Sequence, residues 1–147
     1  MKRGAAFIAI ASIAALAGCA HARPAGEAGA ARGARGTVPQ PLVYFATGNS
    51  SVTGSELAKI SENSAWLAQN EGARVVLAGH CDERGGDRMN MELGDRRARA
   101  VKAALIAGGA GDEGRMVVVS FGKRRPADSS RGERAWRKNR RVEFIMH

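Results

Sequence analysis

The chain has 147 residues, enough for one domain with appendages, and 44% of them are hydrophobic, which allows a modest core. Only 5% are aromatic, so that core has to be built from Val, Leu, Ile, Ala and Met. A formal net charge of +9 suits either an anionic partner or a basic solvated face, while two cysteines, Cys19 and Cys81, exclude a disulfide framework and have no metal-site spacing.

Lys2 and Arg3 open the chain with positive charge, and an apolar run follows from Ala5 to Ala17. Such a run is shorter than the ~20 residues a membrane-spanning helix needs, and it suits the apolar region of a secretory signal. It ends in Leu16-Ala17-Gly18-Cys19, where small residues let a peptidase approach the backbone and the thiol can carry a lipid. This stretch resembles the lipobox of bacterial lipoproteins. The resemblance implies a signal peptide over 1–18, cleavage before Cys19 and acylation of that cysteine, palmitate included. Side-chain charge would then be +9 − 2 = +7 after Lys2 and Arg3 leave. Ala20 stands where an aspartate would hold a lipoprotein at the inner membrane, so the expected location is the outer membrane, with the domain facing the periplasm.

Residues 19–40 are rich in Ala and Gly, with no hydrophobic period, and read as a flexible linker. Pro39 and Pro41 mark the entry to a folded domain over 41–147. Leu42 to Phe45 reads as a first strand. Thr53-Gly54-Ser55-Glu56 fits a capping box, with a helix continuing to Gln69 and an inward stripe of Leu57, Ile60, Ser64 and Leu67. A second strand spans Arg74 to Ala78, and its unbroken apolar run predicts a central position. A polar loop over 79–87 leads to a long helix from Met89 to Ala107, stopped by Gly108-Gly109. Met116 to Phe121 is a third strand, Glu133 to Lys138 a helical turn, and Arg141 to Met146 a last strand. The order β-α-β-α-β-(α)-β predicts an α+β sandwich with the helices on one side of a mixed sheet.

On the long helix, Leu93, Arg97, Val101 and Leu105 recur every four residues and share one inward stripe. Arg97 is the anomaly, a permanent cation in an apolar row that needs an acceptor. Asp82 and Glu83, in the loop feeding the helix, are the nearest carboxylates in sequence. Spacing alone leaves two readings: Arg97 and Asp82 pair and lock the loop, or they form an open pocket for a zwitterion. Arg96 turns toward the polar side and reads as solvated.

The run Asn90-Met91-Glu92-Leu93-Gly94-Asp95-Arg96-Arg97-Ala98-Arg99-Ala100-Val101 resembles the peptidoglycan-binding signature of OmpA-like domains. Gly79-His80-Cys81-Asp82-Glu83-Arg84-Gly85 resembles the loop of the peptidoglycan-associated lipoprotein branch, Pal, of that family, and Lys138 to Glu143 its final strand. The resemblance covers residues 42–147. It implies non-covalent binding of the peptidoglycan stem peptide through diaminopimelate, Asp82 taking the ammonium and Arg97 a carboxylate. It also implies roles for Asn90 at the helix start, Leu93 as a pocket wall and Arg141 near the site. Partners implied are the cell wall, the outer membrane through the lipid anchor, and TolB with other Tol proteins. Residues 45–50 lack the aspartates of the Pal branch, and Lys123 and Arg124 replace acidic residues, so a lipoprotein outside the Tol system stays open as the alternative.

No cofactor, metal site or catalytic residue is expected. A cell-wall hydrolase would need a poised acid, base or metal, and His80 beside Asp82 reads instead as a loop histidine fixing local hydrogen bonds. Nucleic acid fits poorly with the leader and the few aromatics. Cys81 reads as a small packed residue.

Overall fold

The computed structural model describes residues 36–147. In chain order it contains β1 (Leu42–Tyr44), α1 (Ser55–Gln69), β2 (Val75–His80), α2 (Asp87–Ala107), a 3-10 turn (Glu113–Arg115), β3 (Met116–Gly122), α3 (Glu133–Asn139) and β4 (Arg141–Met146). The expected signal peptide, Cys19 and most of the expected linker, residues 1–35, lie outside the described residues.

The strands form one sheet in the order β1-β4-β2-β3. β4 runs antiparallel to both β1 and β2, and β2 runs parallel to β3, so the sheet is mixed. Partners on both sides explain the unbroken apolar sequence of β2: Val75 and Leu77 are fully enclosed, and Ala78 with them. Val43, Ile60, Leu67, Val101, Leu105, Val142 and Phe144 complete the core between the sheet and the α1/α2 layer. The α+β architecture with two packed layers follows from this arrangement.

Helix α2 lies directly on the sheet because Gly94 and Gly79 carry no side chains where it crosses β2, and Ser120 of β3 is small enough to fit beside them. A Cβ at Gly79 of β2 would collide with the Gly94 carbonyl of α2, and one at Gly94 would collide with the Ser120 hydroxyl of β3. The backbone contact brings the N-terminal half of α2 close to the end of β2, where the polar loop begins.

Helix α1 departs from expectation at its start. Gly54 with φ 58° is the N-cap, and Thr53 makes no side-chain cap. Glu56 does not reach back either. Its carboxylate accepts the Tyr44 amide at 2.8 Å and the Lys59 ammonium at 2.7 Å, so a tertiary bond to β1 displaces the local one. Leu57 is 48% exposed, because it precedes Ile60, the first residue of the helix to enter the core. Asn63 is enclosed instead. Its side chain donates to the Gln40 carbonyl at 2.7 Å and accepts the Gln40 amide at 2.9 Å. This clamp seats Val38, 2% exposed, in the core. Packing thus reaches back into the last residues read as linker.

Candidate functional site

A cleft of about 320 Å³ opens where the β2–α2 loop and the first turns of α2 face the β1–α1 loop. Asp82, Arg84, Asn90, Leu93, Arg96 and Arg97 line it, with Thr47 and Gly48 on the opposite lip. Four of the five expected binding residues therefore meet there. Arg141 does not. On β4 its guanidinium binds Glu143 at 2.7 Å and reaches the Arg125 carbonyl at 3.4 Å. Arg140, one residue earlier, is the arginine beside Asp82. The end of α3 turns the chain there, so that consecutive residues face opposite ways.

Arg97 has no exposed surface. It does not pair with Asp82, and among the described residues no carboxylate forms an ion pair with it. Backbone carbonyls hold it instead: Asn49 on Nε at 2.8 Å, His80 on one terminal nitrogen at 2.9 Å, and Ala46 on the other at 3.0 Å. The Cys81 sulfur takes a fourth N–H at 3.5 Å. That leaves one of the five guanidinium donors without an acceptor among the described residues. Burial lowers the affinity of Arg97 for its proton, though a guanidinium still stays charged at neutral pH. The result is a positive charge beneath the floor of the cleft, with no direct ion-pair partner among the described residues, which also fixes the β1–α1 loop. The Phe45 ring lies 5.2 Å from the guanidinium carbon and adds a cation–π contact.

Asp82 is satisfied inside the protein. Its Oδ1 accepts the Arg84 amide at 3.2 Å and Arg84 Nε at 3.1 Å, and its Oδ2 accepts an Arg84 terminal nitrogen at 2.7 Å. Arg140 adds a contact to Oδ2 at 3.3 Å. Burial pushes the carboxyl up, but the Arg84 and Arg140 bonds outweigh it and hold Asp82 below the usual aspartate range. Arg140 is itself pinned by the Phe45 carbonyl at 3.1 Å and by Glu133 at 2.6 Å.

Asn90 shapes the cleft through its loop. Its side chain donates to the Arg84 carbonyl at 2.8 Å, and its own carbonyl accepts the Cys81 thiol at 3.3 Å. Burial pushes the Cys81 thiol up, which keeps it protonated and fits a packed residue. Leu93 is half-buried and supplies an apolar wall. Arg96 is exposed at the rim, so its outward turn places it on the cleft rather than away from it. Lys123 binds the Gly85 carbonyl at 2.8 Å and Asp87 at 3.1 Å, tying the β3–α3 loop to the cleft loop.

His80 differs from its expected role. It lies on β2 rather than in the loop, and neither ring nitrogen finds a hydrogen-bond partner. Burial lowers its pKa to about 4, with Arg141 adding to the effect; Glu143 at 3.9 Å and the Arg125 backbone pull the other way without compensating. A neutral, enclosed imidazole against Phe121 is packing material. Among the described residues no group of His, Cys, Asp or Glu is placed to hold a metal ion.

Sequence alone did not single out Arg140 or the rim role of Arg96. Arg140 is 58 residues from Asp82, and only the sheet order brings them together. The consecutive pair Arg96-Arg97 at the middle of α2 was the available signal for the second.

The sequence profile of the OmpA family matches residues 44–140. A protein of Legionella pneumophila named peptidoglycan-associated lipoprotein is 40% identical over 104 residues, covering 71% of this chain and 58% of that protein. Its namesake in Pseudomonas aeruginosa is 47% identical over 101 residues, covering 69% of this chain and 59% of that protein. The chain thus spans about three fifths of the length of these relatives. The crystal structure of the peptidoglycan-associated lipoprotein from Burkholderia pseudomallei has a TM-score of 0.70 at 33% identity, covering 73% of this chain and 90% of that one. The C-terminal domain of Helicobacter pylori MotB shares the fold, with a TM-score of 0.64 at 19% identity over 72% of this chain and 83% of that one.

Proposed function

The chain belongs to the OmpA family, and from that premise we propose that its cleft binds the stem peptide of peptidoglycan non-covalently, through diaminopimelate. One observation carries the reading: a single carboxylate, Asp82, shares the cleft with three guanidiniums, Arg84, Arg96 and Arg97. Diaminopimelate in a stem presents one ammonium beside carboxylates, and the neighbouring residues of the stem add further negative charge. Asp82 is the acceptor for the ammonium. Arg96 from the rim meets the carboxylates in charge-assisted bonds that read the zwitterion by geometry, and Arg97, enclosed beneath the floor, attracts them through its charge. Leu93 covers the aliphatic carbons between the charged ends.

With Cys19 acylated as the lipobox resemblance implies, the same molecule holds a membrane at one end and the wall at the other. Outer-membrane tethering without catalysis is the function this supports, and the relatives' printed name, peptidoglycan-associated lipoprotein, supports its lipid and cell-wall ends. Membership of the Tol system is the narrower form of the proposal. Lys123 and Arg124 approach Asp87 at the first residue of α2, so a partner docking there meets a paired surface rather than an acidic one.

Purified chain is expected to pellet with diaminopimelate-type sacculi, and Asp82→Asn to stay in the supernatant while keeping its circular dichroism. Arg96→Gln should weaken pelleting about tenfold, the effect of one exposed-to-half-desolvated charge contact. Undiminished pelleting of Asp82→Asn sinks the assignment. A pull-down with purified TolB decides between the Tol system and a separate lipoprotein.

A further inference from the structure

The two arginines on Asp82 are not alike. Arg140 is 5% exposed and fastened by the Phe45 carbonyl and Glu133 as well as by Asp82. Arg84 is 40% exposed at its side chain, yet it makes the closer contacts, on both carboxylate oxygens. Its remaining contacts are light: Thr47 Oγ1 at 3.3 Å across the cleft, and the Trp136 ring 4.1 Å from its guanidinium carbon. Trp136 is itself anchored by its indole N–H on Glu83 at 3.1 Å. A half-exposed cation therefore occupies the one carboxylate of the cleft, and an aromatic face already lies beneath it.

Resting on the stem-peptide reading of the cleft, we propose that Arg84 is a built-in stand-in for the ligand's ammonium and sets specificity by competing with it. With no ligand bound, Arg84 neutralises Asp82, whose burial would otherwise leave an under-solvated charge. A stem ammonium enters by exchange, one cation for another on the same oxygens, so the charge balance around Asp82 is preserved. The displaced guanidinium keeps its place over Trp136 and gains access to the ligand's carboxylates. A ligand that lacks the amine has nothing to put in place of Arg84 and is refused. Arg140 stays on Oδ2 in both states and keeps the carboxylate aimed.

The test is calorimetric titration of the full chain with a soluble muropeptide whose diaminopimelate amine is free, against the same muropeptide with that amine acetylated. Wild type should bind the free-amine form and reject the acetylated one. Arg84→Met keeps an aliphatic stem on Trp136 and removes the competitor, so it should bind the free-amine form about two- to fivefold tighter, the size of a half-exposed ion pair. Arg84→Lys restores a cation and should return the wild-type affinity. Equal or weaker binding by Arg84→Met overturns the proposal and makes Arg84 a direct contact or a structural brace. Wild type binding neither muropeptide removes the stem-peptide reading and this inference with it, whereas binding both equally leaves stem-peptide binding standing and removes the amine exchange. Wild-type discrimination with no gain in Arg84→Met removes the inference alone.

Discussion

A guanidinium with no exposed surface and no ion-pair partner among the described residues carries a large desolvation cost, and at Arg97 three backbone carbonyls meet it. Their dipoles converge from the β1–α1 loop and the end of β2, so the residue that supplies charge to the cleft also builds one of its lips. Arg97→Lys keeps the charge but loses the planar fork, and the carbonyls of Ala46, Asn49 and His80 cannot all be served by one ammonium. It is expected to lower stability by about 2–3 kcal/mol in urea denaturation, before any effect on binding is read. His80 sets a pH response. Its folded pKa of about 4 lies below the free value of 6.5, so the unfolded chain takes up the proton first. Stability should be flat above about pH 6.5 and fall between there and pH 4, by up to about 3 kcal/mol. His80→Phe should flatten that slope in denaturation measured at pH 7 and pH 5; an unchanged slope would assign it to other groups. Arg97 was legible in the sequence as an anomaly because helix periodicity places a residue on a face without needing the rest of the fold. Its acceptors were not, since backbone carbonyls leave no mark on residue identity. The same holds for His80, whose lack of partners is a property of the packed state.

At the level of elements, the close approach of α2 to the sheet decides where the cleft lies. Gly79 and Gly94 touch backbone to backbone, and this draws the start of α2, with Asn90, Leu93 and Arg97, over the end of β2. Gly79→Ala must push a carbonyl and with it the helix, at an expected loss of about 3 kcal/mol, seen as a lower denaturation midpoint with an unchanged m-value. A second lever is the Asn63 clamp on Gln40. Asn63→Ala leaves the Gln40 amide and carbonyl short of partners and should cost about 2 kcal/mol in the same assay. Element existence was readable from the apolar periods, and so was the central place of β2. Helix α1 was readable in length but not in detail. Glu56 is drawn to the β1 amide, and a capping box written in the local sequence gives way to a tertiary hydrogen bond.

For the whole molecule, the sheet order explains why the site escaped a purely local reading. Asp82 and Arg97 are near in sequence and could be paired on paper. Arg140 reaches them only because β4, the last strand in chain order, lies between β1 and β2. β1 pairs with β4 and nothing else in the sheet, so a chain shortened to end at Arg140 should lose β1, Arg140's setting and the cooperative transition together, leaving a largely unfolded circular dichroism spectrum. The insertion has a consequence in time as well as in space. A ribosome delivers this chain from its N-terminus, and until residue 146 has emerged the middle of the sheet is missing. The domain cannot assemble piecemeal behind a moving front. It must be finished as a polymer before it is completed as a fold, so the partly made chain stays open until its last strand is available.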